Sequence, residues 1–287
     1  MISVTTPLRG RLGNHLFQIG AICSYAKAHN YRAIFSWESS GNEARNKSLL
    51  LQNIEFVRNE ELEKFSRLEH NFFNFKELPT LINSTYISGK YCFFQDLNYL
   101  NRDLMLELFL IPSLKNEVRL KYPDIENRTS VHIRRGDYIR REKIGSNQFV
   151  IPGVKYYKNA LKICQSDKVI IFSDDVEWCR RKFKCENVIF SKDNEDLSLT
   201  AMTMCRNNIL SASTFGWWGA YLNIHKDKKV VAPKTWFKTD SVEVTNKLTT
   251  IESSLIPESW IRIESHQNLS PRIGLRLKKL RRSLFKR

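Results

Sequence analysis

The sequence predicts an α/β protein of two doubly wound domains that face each other across a cleft. Three observations lead there. The chain opens with a strand, a glycine-rich turn, a helix and a second strand. Its second half alternates short apolar runs with helical patterns. Polar segments fall just past the ends of predicted strands, where ligands bind in open α/β sheets.

Taken in order, Met1 to Thr5 is a short β-branched run, followed by Gly10-Arg11-Leu12-Gly13-Asn14. Leu16, Ile19, Ile22, Cys23 and Ala26 then recur at helical spacing, Asn30 closes that helix, and Ala33-Ile34-Phe35 reads as the next strand. Residues 37 to 77 are charged, aromatic and irregular, with short helical patches. Tyr86-Ile87-Ser88-Gly89 reads as a strand, and Leu97 to Leu110 as a helix that Pro112 ends.

After Pro123 the alternation is cleaner. Ser130 to Ile133 is a predicted strand and Lys155 to Cys164 a helix. Lys168 to Phe172 is a continuous apolar run, as expected of a strand buried on both faces. Val176 to Phe183 is a helix capped by Asp174 or Asp175. Val188 to Phe190 is a strand, Asp196 to Cys205 a helix, and Asn208 to Leu210 a strand. Phe215 to Ile224 is a helix, and Lys229 to Ala232 the final strand, stopped by Pro233. Short connections between these elements predict a parallel sheet with helices on both faces. The expected division is 1–118 for an N-terminal domain, 119–265 for a C-terminal Rossmann-like domain and 266–287 for a tail, with the join near 112–126.

With 287 residues, 42% hydrophobic and 26% charged, the composition is that of a globular protein. Lys and Arg outnumber Asp and Glu by 46 to 30, a net charge of +16 that suggests an anionic partner. Eight of those cations lie between Arg272 and Arg287, where no acidic residue occurs. The aromatic residues sit mostly in apolar contexts, so no nucleic-acid partner is expected, although a basic nucleic-acid-binding protein is the rival from another class. No run approaches the ~20 apolar residues of a membrane span. The N-terminus, with Pro7, Arg9 and Arg11, does not read as a secretory signal, and the six cysteines form no C-x-x-C pair. A cytoplasmic protein without a metal site is the expectation.

Three segments carry the chemistry. His132-Ile133-Arg134-Arg135-Gly136-Asp137-Tyr138 leaves the end of a strand with two guanidinium forks, which match phosphate oxygens in pairs. Gly136 lets the chain turn where a Cβ would obstruct it. The bland alternative is a solvated basic turn whose Asp137 pairs with its own arginines. Gly10 to His15 leads from a strand into a helix, pointing backbone N–H groups at an anion. Ser211 to Ala220 places Ser213 or Thr214 where an N-cap hydroxyl belongs, at another helix start suited to phosphate, with Trp217 and Trp218 expected in the core. A fourth segment, Ser173-Asp174-Asp175, offers carboxylates to ribose hydroxyls or a base edge, or caps the following helix.

Together these segments resemble the family 11 glycosyltransferases, the α-1,2-fucosyltransferases that use GDP-fucose. The family's H-x-R-R-G-D-Y is intact at His132 to Tyr138, and G-R-L-G-N-x-x-F-Q stands at Gly10 to Gln18. S-x-S-x-F-S-W-W-G-A stands at Ser211 to Ala220, with Gly216 in place of the usual Ser and Ala212 where Asn is often found. The resemblance spans roughly Met1 to Ala232.

The resemblance implies a GT-B-like architecture of two Rossmann-like domains facing a cleft, and a metal-independent inverting transfer of L-fucose from GDP-fucose to a galactoside 2-hydroxyl. It assigns His132 and Arg134 to guanine and β-phosphate, Arg135 to a structural or secondary role, and Asp174 to guanine. It brings Gly10, Gly13 and Asn14 to the diphosphate through backbone, with Ser213 and Thr214 at the second helix start. Candidates for the general base are Asp137, Glu142 and His15. Glu142 follows His132 by ten residues, a spacing similar to that of the α-1,6-fucosyltransferases; Asp137 has the favoured rival role of orienting Arg134 or Arg135. No cofactor is implied beyond the donor substrate, and the partner is a galactose-terminated glycan, such as an O-antigen intermediate. A GT-B transferase using another sugar nucleotide is the nearest alternative. In the tail, Ile273, Leu277, Leu280 and Leu284 follow helical spacing among basic residues, which predicts either a disordered solvated tail or peripheral contact with an anionic membrane at its cytoplasmic face.

Overall fold

In the computed structural model, which describes residues 1–37, 48–72, 75–90, 92–184, 186–238 and 253–265, the N-terminal β-branched run forms β1 (Ser3–Thr5), buried along its length. Helix α1 (Leu12–His29) begins at Leu12 rather than at Leu16, because the glycine motif is itself its first turn. Asn30 ends it with φ 56°, the left-handed conformation Asn tolerates. With β2 (Arg32–Ala33), α2 (Asn59–Leu62), β3 (Ser66–Glu69) and β4 (Thr85–Ser88), a four-stranded parallel sheet of order β2-β1-β4-β3 is complete. Strand β3 was not expected. Ser66, Arg67 and Glu69 are exposed, so the segment lacks apolar alternation, and such charge suits an edge strand.

The side chain of Asn101 caps α3 (Arg102–Phe109), accepting from Leu104 N at 3.0 Å. Pro112 does more than end a helix. It is the first residue of α4 (Pro112–Lys121), where its missing N–H would have had no helical partner. Much of the stretch expected as an interdomain join is therefore helix.

The second half continues with β5 (Thr129–Ile133), α5 (Gly136–Lys143), α6 (Val154–Cys164), β6 (Val169–Ser173), α7 (Val176–Lys182) and β7 (Val188–Phe190). It closes with α8 (Glu195–Met204), β8 (Asn207–Ile209), α9 (Thr214–Tyr221), β9 (Val230–Pro233) and β10 (Ile261–Ile263). Two corrections arise here. Pro233 is the last residue of β9, and β10 adds a strand beyond the one expected to be final. Helix α5 replaces the sharp turn expected at Gly136; apart from Tyr138 it buries nothing, so no apolar stripe announced it.

These six strands are all parallel in the order β10-β9-β8-β5-β6-β7. The chain runs outward from β5 to β7, then returns to the other side of β5 and runs outward again. The reversal between β5 and β8 is a topological switch point, and ligands bind beyond the strand ends there. The sheet is doubly wound. Ile170 and Phe172 of β6 pack with Leu199, Met202, Trp217 and Trp218 on one face, while Val169 and Ile171 pack with Tyr156, Tyr157 and Cys179 on the other. Helix α4 packs on α8 through a side that buries Leu114 and Val118.

The first of these cores continues into the N-terminal half. Phe17 of α1 places its ring 4.6 and 4.9 Å from the rings of Trp217 and Trp218, and Trp218 Nε1 donates to Gly13 O at 2.9 Å. Both tryptophans are fully buried, as expected of core residues. Helices α1 and α9 thereby join the two sheets. The basic tail, residues 266–287, lies outside the described residues.

Candidate active site

Strand β5 is buried throughout and delivers His132 and Arg134 to the switch point. His132 is 6% exposed, and its Nδ1 lies 3.0 Å from Ser211 Oγ. Burial, aided by Arg134, pushes its pKa down to about 4, so the ring is neutral at neutral pH. Arg134 N donates to the same Ser211 Oγ at 3.1 Å.

The Arg134 guanidinium lies between two carboxylates, 2.6 Å from Asp137 Oδ1 and 2.8 Å from Asp174 Oδ2. Arg135 turns away, its guanidinium 3.8 Å above the Trp178 ring and its Nε 3.2 Å from Asp175 Oδ2. Arg135, expected in a structural or secondary role, is held by these two contacts. Asp137 stands where an orienting partner of Arg134 belongs, and Arg141 approaches its other oxygen at 3.7 Å. Self-pairing of the arginines, the bland alternative, and a binding role are compatible. A guanidinium has five N–H donors, and two carboxylates leave several of them for a ligand.

Asp174 and Asp175 divide the work that the sequence left undecided. Asp175 caps α7, accepting from Trp178 N at 3.2 Å. Asp174 accepts from Arg135 N at 2.8 Å, beneath the start of α5. Gly136 is required by this approach, since a Cβ there would stand 2.8 Å from Asp174 Oδ2. Tyr138 anchors the same helix by donating to Ala212 O at 2.9 Å and stacking on Phe149.

The first and third motifs meet directly. Gly13 lies against α9 so closely that a Cβ would be 2.6 Å from Phe215 N, and Thr214 Oγ1 donates to Asn14 Oδ1 at 3.0 Å. Gln95 Nε2 reaches the same Asn14 oxygen at 3.2 Å. Gly10 holds φ +87° just before the helix. Two helix N-termini are thus in contact. Neither has an acidic residue in its first turn or a side-chain cap, and Ser213 occupies the N-cap position of α9 without bonding there. The positive ends of two helix dipoles without side-chain caps thus meet at the switch point to which β5 also brings Arg134, an arrangement that favours an anion.

Among the base candidates, Glu142 lies near the far end of α5, held by Lys238 Nζ and, at 3.0 Å, by Asn147 Nδ2. Burial would raise its pKa, but these two partners outweigh burial and leave it lowered. Both contacts fall on Oε2. His15 is fully buried with Trp37 as a ring neighbour, which takes it away from solvent. Asp193 accepts from Tyr122 Oη at 2.7 Å and pairs with Lys121, and Asn194 caps α8. Ser211 and Trp178 are the contributors that sequence reasoning left without a role. Ser211 stood inside a quoted motif, but only the fold brings it to His132.

Comparison with known proteins gives a consistent family. The family model described as Glycosyl transferase family 11 matches residues 3–263. The O-antigen biosynthesis glycosyltransferase WbnK of Escherichia coli is 33% identical over 198 residues, 62% of this chain and 62% of that protein. An alpha-1,2-colitosyltransferase of Escherichia coli is 29% identical over 153 residues, 48% of each chain. Galactoside alpha-(1,2)-fucosyltransferase 1 of Alouatta belzebul is 26% identical over 206 residues, 64% of this chain and 53% of that one. The chain therefore spans between 48% and 62% of the length of these relatives. Among solved structures, a glycosyl transferase family 9 protein from Veillonella parvula superposes with a TM-score of 0.50 at 10% identity, covering 96% of this chain and 91% of that one, a likeness of fold.

Proposed function

The chain belongs to glycosyl transferase family 11, and from that premise we propose that it transfers L-fucose from GDP-fucose to the 2-hydroxyl of a galactoside, with inversion, in O-antigen or similar surface-glycan synthesis. The observation that supports this reading is the contact between the uncapped N-termini of α1 and α9 at a switch point that also receives Arg134. Departure of GDP from the anomeric carbon concentrates negative charge on the diphosphate while positive charge grows on the sugar ring. Donors fixed before the reaction stabilise that charge without reorganising. Arg134, oriented by Asp137 and Asp174, supplies a fork; the starts of α1 and α9, with Gly10, Gly13, Asn14, Ser213 and Thr214, supply backbone donors, and Ser213 adds a hydroxyl, that of Thr214 being engaged by Asn14. In this reading the chain's own groups take the charge, and no divalent ion is needed.

The acceptor hydroxyl gives up a proton as it attacks. Glu142 stays ionised beside Lys238 and keeps its Oε1 outside the two contacts on Oε2, so it is the base in this proposal, while Asp137 orients Arg134. A second reading, transfer of a different sugar from its nucleotide, draws support from the colitosyltransferase relative. Among the described residues no helix is long and apolar enough to cross a membrane. The basic tail then serves to bring the enzyme to an anionic surface bearing its acceptor.

A donor panel tests the proposal. The purified chain is incubated with GDP-fucose and other nucleotide sugars, including nucleotide-linked colitose, against a galactoside panel with and without chelator. Turnover with GDP-fucose that survives chelation is expected. Turnover with another donor alone favours the second reading, and dependence on added magnesium or manganese removes the charge argument.

A further inference from the structure

Ser211 lies just beyond β8, 1% exposed, and its single hydroxyl faces two groups. One is the backbone N–H of Arg134, 3.1 Å away, which can only donate. The other is His132 Nδ1, 3.0 Å away, which donates or accepts according to its tautomer. If Nδ1 carried the ring proton, Oγ would accept twice and its own hydrogen would be buried with no acceptor among the described residues. A buried donor left unpaired costs ~1–3 kcal/mol. If Nδ1 is bare, Oγ accepts from Arg134 N, donates to Nδ1, and every hydrogen has a partner. Gly216 closes the same side of the ring, since a Cβ there would lie 2.6 Å from Nδ1.

We infer that Ser211 is a positioning residue that locks His132 in the tautomer protonated on Nε2, so that the ring presents a neutral hydrogen-bond donor to the nucleotide. The inference rests on the donor-site reading above for what the donor meets, but not for the tautomer itself. The low pKa of the ring agrees with it, since a neutral imidazole has a tautomer to choose. The hydroxyl thereby links the β5 and β8 sides of the switch point, fixing the direction of one ring atom.

Nitrogen-15 NMR of the full chain labelled at histidine distinguishes a protonated from a bare ring nitrogen without any nucleotide present. The chain has six histidines, and the spectrum of His132→Gln assigns the resonance. His132 is expected to show a bare Nδ1 and a protonated Nε2. Ser211→Ala is expected to mix the tautomers and weaken GDP binding about tenfold, the equivalent of one hydrogen bond. Ser211→Thr, which keeps the hydroxyl, restores both. A wild-type ring protonated on Nδ1, or an unchanged tautomer in Ser211→Ala, overturns the inference. A shifted tautomer with unchanged GDP binding upholds the role of Ser211 and overturns the donor-site reading instead.

Discussion

In the proposed reading Arg134 meets the leaving diphosphate, and its two carboxylate partners fix the plane of the fork. Arg134→Lys keeps the charge and abandons the geometry, since a single ammonium cannot span Asp137 and Asp174 while also reaching a diphosphate in two places. Transfer is expected to slow by ~10²-fold, the usual effect of losing one fixed transition-state donor, with weaker GDP affinity beside it. Steady-state kinetics and calorimetry check both. His132 yields a pH prediction at the same scale. Its pKa falls from 6.5 to about 4 on folding, so an unfolded chain takes up a proton that the native ring refuses. Stability from the neutral ring is present above the ordinary value and is lost as pH falls through that window, at up to ~1.4 kcal/mol per unit. Urea denaturation between neutrality and the acid limit should show the wild type losing stability faster than His132→Gln. Parallel losses in the two would contradict it. Glu142 also loses its contribution on acidification, but both proteins contain it, so the difference between them reports His132.

Helices α1 and α9 show why elements that look unrelated in sequence form one site. Gly13 belongs to a motif that reads as a phosphate-facing turn, yet its missing side chain is what lets the two helix starts touch. Gly13→Ala puts a Cβ 2.6 Å from the backbone nitrogen of Phe215, which cannot swing aside. Even with the helix propensity that Ala gains, a net loss of ~1–2 kcal/mol is expected, together with weaker GDP binding. Gly20→Ala in the same helix is the control. Its Cβ would first meet the flexible end of Met105, so a smaller loss should appear in denaturant unfolding. What the sequence made legible follows the same division. Strands β5 to β8 and helices α6 to α8 were readable because apolar runs bounded by turns determine them. Helix α5, the edge strand β3 and the terminal β10 bury little, so no pattern announced them. Within the site, the motif residues were legible but their partners were not. Arg135 and Asp174 are 39 residues apart, and His132 and Ser211 are 79 apart, separations that only the sheet order closes.

For the molecule as a whole, the useful quantity is where the charge lies. The net charge is +16 and the segment from Arg272 contributes eight cations without an acid, so half of the excess sits in the last sixteen residues. The family match stops at residue 263, which places that segment outside what the family shares. In the proposed reading, the body's cations serve an anionic nucleotide and the terminal cations serve an anionic surface, two uses of the same sign of charge. Each Lys or Arg near such a surface adds ~1 kcal/mol of attraction. Deleting residues 271–287 is expected to abolish co-sedimentation with phosphatidylglycerol vesicles while leaving turnover of a soluble galactoside within about twofold, because the motif constellation is untouched. Phosphatidylcholine vesicles should bind neither form. Raising salt from ~0.1 M to ~1 M, which shortens the screening length from ~10 Å to ~3 Å, should release the full-length chain if attraction is electrostatic. Retention of the truncated chain on anionic vesicles would assign the membrane contact to the body, and loss of soluble turnover on truncation would give the tail a part in the fold or the site.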